Sequence, residues 1–228
     1  MFESLKQQFT DNFIVDDRWK YLLHGLGVTL EITFFALVIG LALGVLVAGI
    51  RAMHQTTGRY RLADLACRLY LTVIRGTPVL VQLMIMYFVI LSSVDKRVAA
   101  VVAFGINSGA YVAEIVRGGI LAIEKGQFEA GRSLGFSDAQ TMRHILFPQA
   151  LRNVLPALAN EFIVLLKETS VSGYIAIQDL TKSGDLIRSR TYDAFMPLFA
   201  VALIYLALVV CLTAGVSRLE RRLHAAGH

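Results

Sequence analysis

The sequence predicts an all-α, polytopic membrane protein with five transmembrane helices in a single domain spanning residues 1–228. Hydrophobic residues make up 56% of the chain, above the roughly 45–50% of an average soluble domain. Mean hydropathy is +0.60. The apolar residues are also blocked into runs near 20 residues long, the length at which a helix crosses a bilayer.

The first run covers residues 21–50, long enough to tilt or to begin as an interfacial turn. The second covers 65–91 and is interrupted by Arg75, Gly76, Thr77 and Pro78. The third runs over 98–116, the fourth over 150–166 across Pro156, and the fifth over 195–216. Two stretches are polar enough to lie outside the bilayer. Residues 123–143 read as a short amphipathic helix followed by a turn, and 168–192 as a loop with a short helix near 177–181. Asp11, Asp16 and Asp17 precede the first run, where a cleavable signal would carry positive charge. Cys67 and Cys211 sit in apolar surroundings and read as small buried hydrophobes.

The net charge of +5 is modest, and no basic stretch is interleaved with aromatics, so nucleic acid is not an expected partner. Membrane lipids are. Arginines gather before the second run (Arg51, Arg59, Arg61, Arg68), between the third and fourth (Arg132, Arg143, Arg152) and in the tail (Arg218, Arg221, Arg222). By the positive-inside rule the C-terminus is cytoplasmic and the N-terminus lies outside.

Polar residues inside apolar runs are the functional candidates. Arg75 either snorkels at a kink made by Gly76, Thr77 and Pro78, or lines a pathway together with Gln82. Gly40 and Gly44, and likewise Gly105 and Gly109, have the spacing that lets helices pack closely. The third run also holds Asn107, Ser108, Tyr111 and Glu114, and Glu114 can pair with Arg117 three residues on. The fourth holds Asn160 and Glu161, with Lys167 near its end. Six residues separate Glu161 from Lys167, about 9 Å along a helix and about 120° around it. That is too far for a direct pair. Either the two hold opposite charges of one elongated zwitterion, or Lys167 snorkels and Glu161 pairs with another helix. No phosphate-cradling glycine loop of the G-x-x-x-x-G-K-[ST] kind is present, and no His/Cys metal cluster or nucleophile motif. No catalytic residue and no bound metal are expected. A secondary transporter or channel would call for an inverted repeat of broken helices, and a passive scaffold would not need Asn160 and Glu161 inside a run.

Four motifs occur in order: RGTPVLVQL at 75–83, INSGAYVAEIVRGG at 106–119, EAGRSLG at 129–135 followed by ILFP at 145–148, and NEFIVLLKETS at 160–170. Together with RLERRL at 218–223 they resemble the permease subunits of bacterial polar amino-acid ABC importers, with a type I importer architecture. The third motif resembles the EAA coupling loop. Gly131 stands where a second alanine is usual, and Phe147 where leucine is usual.

The resemblance implies a location in the bacterial inner membrane. It implies a dimer with a second permease copy or a paralogue, a cytoplasmic ATPase dimer that carries ATP and magnesium, and an extracytoplasmic amino-acid-binding protein. No cofactor would be held by this chain. Glu129, Ala130, Gly131 and Gly135 would belong to a coupling helix over 127–140 that sits in a cleft of the ATPase, and alternating access would follow. The substrate set would draw on Glu161, Lys167, Asn160, Asn107, Ser108 and Tyr111. An acidic residue at the position of Glu161 points to arginine, lysine, histidine or ornithine. The alternative is glutamine, cystine or another polar amino acid.

Overall fold

The computed structural model describes residues 2–225; Met1 and residues 226–228 lie outside the description. Among the described residues the regular structure is helical throughout, in the order α1 (Phe2–Phe9), α2 (Trp19–Thr57), α3 (Arg61–Gly76), α4 (Val79–Ile85), α5 (Lys96–Leu121), α6 (Lys125–Ser133), α7 (Asp138–Thr141), α8 (Phe147–Glu168), α9 (Leu180–Thr191) and α10 (Phe195–Ala225).

Three helices are long and apolar enough to cross a membrane: Trp19–Gln55 within α2, Lys96–Leu121, and Phe195–Arg222 within α10. They match the first, third and fifth runs but extend past them, because helix continues into the polar flanks. The second run is not one straight helix. It divides into Arg61–Gly76 and Val79–Ile90, bent by 109°. Pro78 lacks an amide hydrogen and disfavours helical geometry at the residue before it, and Thr77 is accordingly extended at φ −122° and ψ 147°. Gln82 closes the break. Its side-chain nitrogen donates to the carbonyl oxygen of Ile74 at 2.7 Å and to Thr77 Oγ1 at 2.8 Å, satisfying groups that the lost helical turn leaves open. The fourth run is the helix α8, but its polar residues make it less apolar than the other long helices. Counting the bent pair as one crossing gives four spans by length and composition, against the five expected.

Helices α2 and α5 form the closest seam. A side chain at Gly44 would meet Val112 Cβ at 2.5 Å, and one at Gly105 would meet Ile39 Cγ2 at 2.7 Å. Both GxxxG pairs therefore act in packing, as their spacing suggests. The core around this seam is filled by Ile32, Ala36, Leu83, Ala100, Phe104 and Leu165.

The loop expected over 168–192 is more ordered than its composition implies. The short helix lies at Leu180–Thr191, not near 177–181. Asp179 caps it by accepting from the amide of Lys182 at 2.9 Å. Leu180 and Ile187 are fully buried against α2 and α10. On the polar face Lys182 and Arg188 clamp Asp185 at 2.8 and 2.6 Å, and these bonds hold its carboxyl below the usual carboxylate range. The stretch 127–140 is likewise two helices. Helix α6 ends at Ser133, the chain turns at Gly135 with φ +86°, and α7 starts at a capping box of Ser137 and Gln140.

Candidate functional site

Buried polar groups gather where α5 meets α8. Glu161 is 6% exposed, and Ser108 Oγ donates to its Oε1 at 2.8 Å. One helical repeat further along α8, Asn107 Nδ2 donates to Glu168 Oε2 at 3.2 Å. Glu161 and Glu168 are seven residues apart and so share the face of α8 that meets α5. Gly40 completes this corner, since a Cβ there would stand 2.9 Å from Ser108 Oγ and displace the hydroxyl from its place beside Glu161. Neither carboxylate is ion-paired among the described residues.

The other substrate candidates are dispersed. Lys167 is exposed and lines a groove of about 300 Å³ with Ser170, Thr181 and Tyr205. Asn160 is exposed on a further groove, of about 510 Å³, between α8 and α10. Glu161 does not line the Lys167 groove. Tyr111 lines a different cavity, its ring 5.7 Å from the Arg75 guanidinium.

Arg75 finds its partner in Glu114, with Nη1 3.8 Å from Oε2. It belongs to a charge network of which the sequence showed only the Glu114–Arg117 pair. Arg117 and Arg51 hold the two oxygens of Glu114 at 2.6 and 3.0 Å. Arg68 donates to the buried Asp64 at 2.7 Å, and Arg51 stands 3.7 Å from that carboxylate. The available signal was Asp64 four residues before Arg68 on an otherwise apolar-striped helix.

At the same end of the bundle lies the EAA-like segment. Glu129 and Ala130 are exposed and Gly131 is buried. A Cβ on Gly131 would come within 2.5 Å of Thr141 Cγ2, so glycine in place of alanine lets α6 lie directly on α7. Gly135 meets nothing within 4 Å, and its requirement is conformational: a β-branched residue is an outlier at positive φ. Gly135→Val is expected to leave the protein inserted and folded while distorting the turn between α6 and α7. Co-purification of an ATPase subunit should fall several-fold. Unchanged co-purification and stimulated hydrolysis would remove this turn from the coupling contact.

Residues 40–225 match the model of the family described as binding-protein-dependent transport system inner membrane component. The chain belongs to that family. The permease is 40% identical over 207 residues to the glutamine transport system permease protein GlnP of Escherichia coli K12, covering 89% of this chain and 92% of that one. It is 39% identical, with the same coverage, to the arginine transport system permease protein ArtQ of Bacillus subtilis 168. A solved amino acid ABC transporter with histidines superimposes with a TM-score of 0.84 at 40% identity, over 92% of the permease and 98% of that chain. The permease is thus a multi-pass inner-membrane protein of the amino-acid ABC importer class.

Proposed function

We propose that the permease imports basic amino acids, with Glu161 as the group that receives the cationic side chain. The observation that carries this is the pair Glu161 and Glu168. Two carboxylates share one face of α8, each answered only by a neutral donor, Ser108 or Asn107. A carboxylate at membrane depth without a cation is costly, and a cationic ligand offsets it. The arginine permease at 39% identity supports the same reading, and the glutamine permease at 40% supports the neutral alternative. Uptake of labelled arginine, lysine, histidine, ornithine and glutamine by the reconstituted importer distinguishes them. Basic amino acids should compete with arginine while glutamine does not, and import restricted to neutral amino acids would overturn the proposal.

Because Glu161 does not line the groove that holds Lys167, a ligand bridging them calls for surface from outside this subunit. We assign that surface to a second permease copy or a paralogue. In this scheme hydrolysis takes place in a separate ATPase dimer holding ATP and magnesium beneath Glu129, Ala130, Gly131 and Gly135, and a binding protein delivers the amino acid on the opposite face. Alternating access follows from movement of the coupling segment.

The arginine distribution supports a cytoplasmic C-terminus and an external N-terminus. With Cys67 and Cys211 replaced by alanine, an impermeant thiol reagent should leave Arg59→Cys unlabelled in intact cells and label it once the membrane is opened. Labelling from outside would reverse the topology.

A further inference from the structure

A cavity of about 580 Å³ opens between α2, α3 and α5, at the end of the bundle that carries the EAA-like segment. Its wall holds the guanidinium groups of Arg51, Arg68 and Arg75 and a single carboxylate, Glu114. Glu114 is already saturated. One oxygen accepts from Arg51 at 3.0 Å and the other from Arg117 at 2.6 Å. Arg75 stands 3.8 Å off, outside hydrogen-bond reach. Arg68 uses only its Nε on Asp64 among the described residues, and its side chain is 57% exposed. Arg51 Nε has no hydrogen-bond partner and stands 3.7 Å from Asp64 Oδ1, which has none either. Four guanidinium groups, those of Arg51, Arg68, Arg75 and Arg117, thus share two carboxylates, Glu114 and Asp64, and surplus positive charge faces the cavity.

An apolar stripe adjoins it. Leu62, Leu65, Leu69 and Val73, spaced three and four apart along α3, are all exposed, whereas Arg68 and Arg75 lie on the cavity side of the same helix. An anion with an apolar body fits both surfaces at once: its charge meets the arginines while its chains lie along the leucines. Basic pockets between membrane helices hold phosphate headgroups in this way, and guanidinium groups suit phosphate through their forked donors.

We propose that this cavity is a phospholipid site, taking the phosphate of an anionic lipid between Arg68, Arg75 and Arg51 while the acyl chains pack on the exposed leucines of α3. The occupant is a structural or regulatory lipid and not the transported amino acid, since a cationic substrate would be repelled there. That exclusion of the substrate rests on the basic-amino-acid reading above, whereas the lipid contacts themselves do not.

Native mass spectrometry of the full-length chain, purified in non-ionic detergent, tests it. With phosphatidylglycerol and phosphatidylcholine supplied equally, phosphatidylglycerol should be retained in preference. Arg68→Gln should lower that retention about fivefold, the effect of one arginine near an anionic headgroup, and Arg68→Lys should keep most of it. Equal retention of the two lipids, or retention indifferent to Arg68→Gln in a monodisperse, helical variant, overturns the proposal. Displacement of the lipid by millimolar inorganic phosphate also overturns it, because the site would then be one for small anions. If Arg68→Gln does not fold, the parent decides the question: retention must fall as ionic strength rises, and salt-independent retention refutes the phosphate contact.

Discussion

Gly25→Ala should destabilise the permease by about 1–3 kcal/mol or more, the range for forcing atoms into a packed interior, and lower its melting temperature in detergent by several degrees. The added methyl would stand 2.3 Å from Ser183 Oγ, 2.5 Å from the carbonyl oxygen of Asp179 and 2.8 Å from its carbonyl carbon. Two of these are backbone atoms, so no rotamer change relieves the overlap. They also belong to the residue that caps α9, and the neighbouring amide of Leu180 donates to Thr29 Oγ1 at 3.1 Å. Moving Asp179 therefore loosens the cap, the Thr29 bond and the buried Leu180 together. Gly27 supplies the internal control. It lies on the same helix with nothing within 4 Å of its would-be Cβ, and alanine there should be neutral or stabilising by up to about 1 kcal/mol through helix propensity. Equal melting of Gly25→Ala and Gly27→Ala would show that α9 is not seated as described.

Glu161→Gln should reduce discrimination for cationic over neutral amino acids by about ten- to a hundredfold. The estimate follows from the roughly 1.5–3 kcal/mol that a charged hydrogen-bond partner contributes. Glutamine is nearly isosteric and still accepts the 2.8 Å bond from Ser108, so fold and basal ATPase activity should persist. The binding protein selects substrate first, and the measurement must bypass it. If the variant imports arginine as well as the parent does, the Ser108–Glu161 bond is a packing contact between α5 and α8 and the substrate assignment falls. Ser108→Ala separates the two roles further: it removes the hydroxyl but leaves the charge, so it should weaken helix packing while retaining cation selectivity.

What the sequence discloses depends on the range of the interaction. Runs of apolar residues report their own helices, which is why α2, α5 and α10 were legible to within a few residues at their apolar starts. Gly76, Thr77 and Pro78 announce a break, but the 109° bend also depends on Gln82 reaching back to close the freed carbonyls, a contact that periodicity does not encode. Helix α9 was misplaced because two of the four positions on its buried i, i+3, i+4, i+7 face are Ser183 and Gly184, leaving only Leu180 and Ile187 as large apolar residues, set among charges that read as loop. Asp179 ahead of that pattern was the usable sign. At the site, Glu161 was legible as a charge inside a span, but its bond to Ser108 joins two helices 53 positions apart and no local pattern encodes it. Glu168 lies seven residues after Glu161, and that spacing alone places the two on one helix face. Of the arginine network only the local Glu114–Arg117 pair was legible, since the rest assembles residues from three helices across more than sixty positions, from Arg51 to Arg117.

The chain does not stop being helical between α7 and α8. Residues 142–146 form a π turn whose flanking residues keep right-handed helical angles, so backbone winding runs without a gap from Asp138 to Glu168. Thr141, the residue on which Gly131 rests, and Glu161 are thus two points on a single rod, about 30 Å apart at 1.5 Å per residue. In mechanical terms the rod is a lever with the EAA-like segment at its short end. A tilt of only about 10° pivoting near Thr141 sweeps Glu161 sideways by about 5 Å, the pitch of one helical turn. A displacement of that size would carry the carboxylate out of reach of Ser108, so under the proposed coupling role a small stroke at α6 would be geared up into the making or breaking of a bond far along the helix.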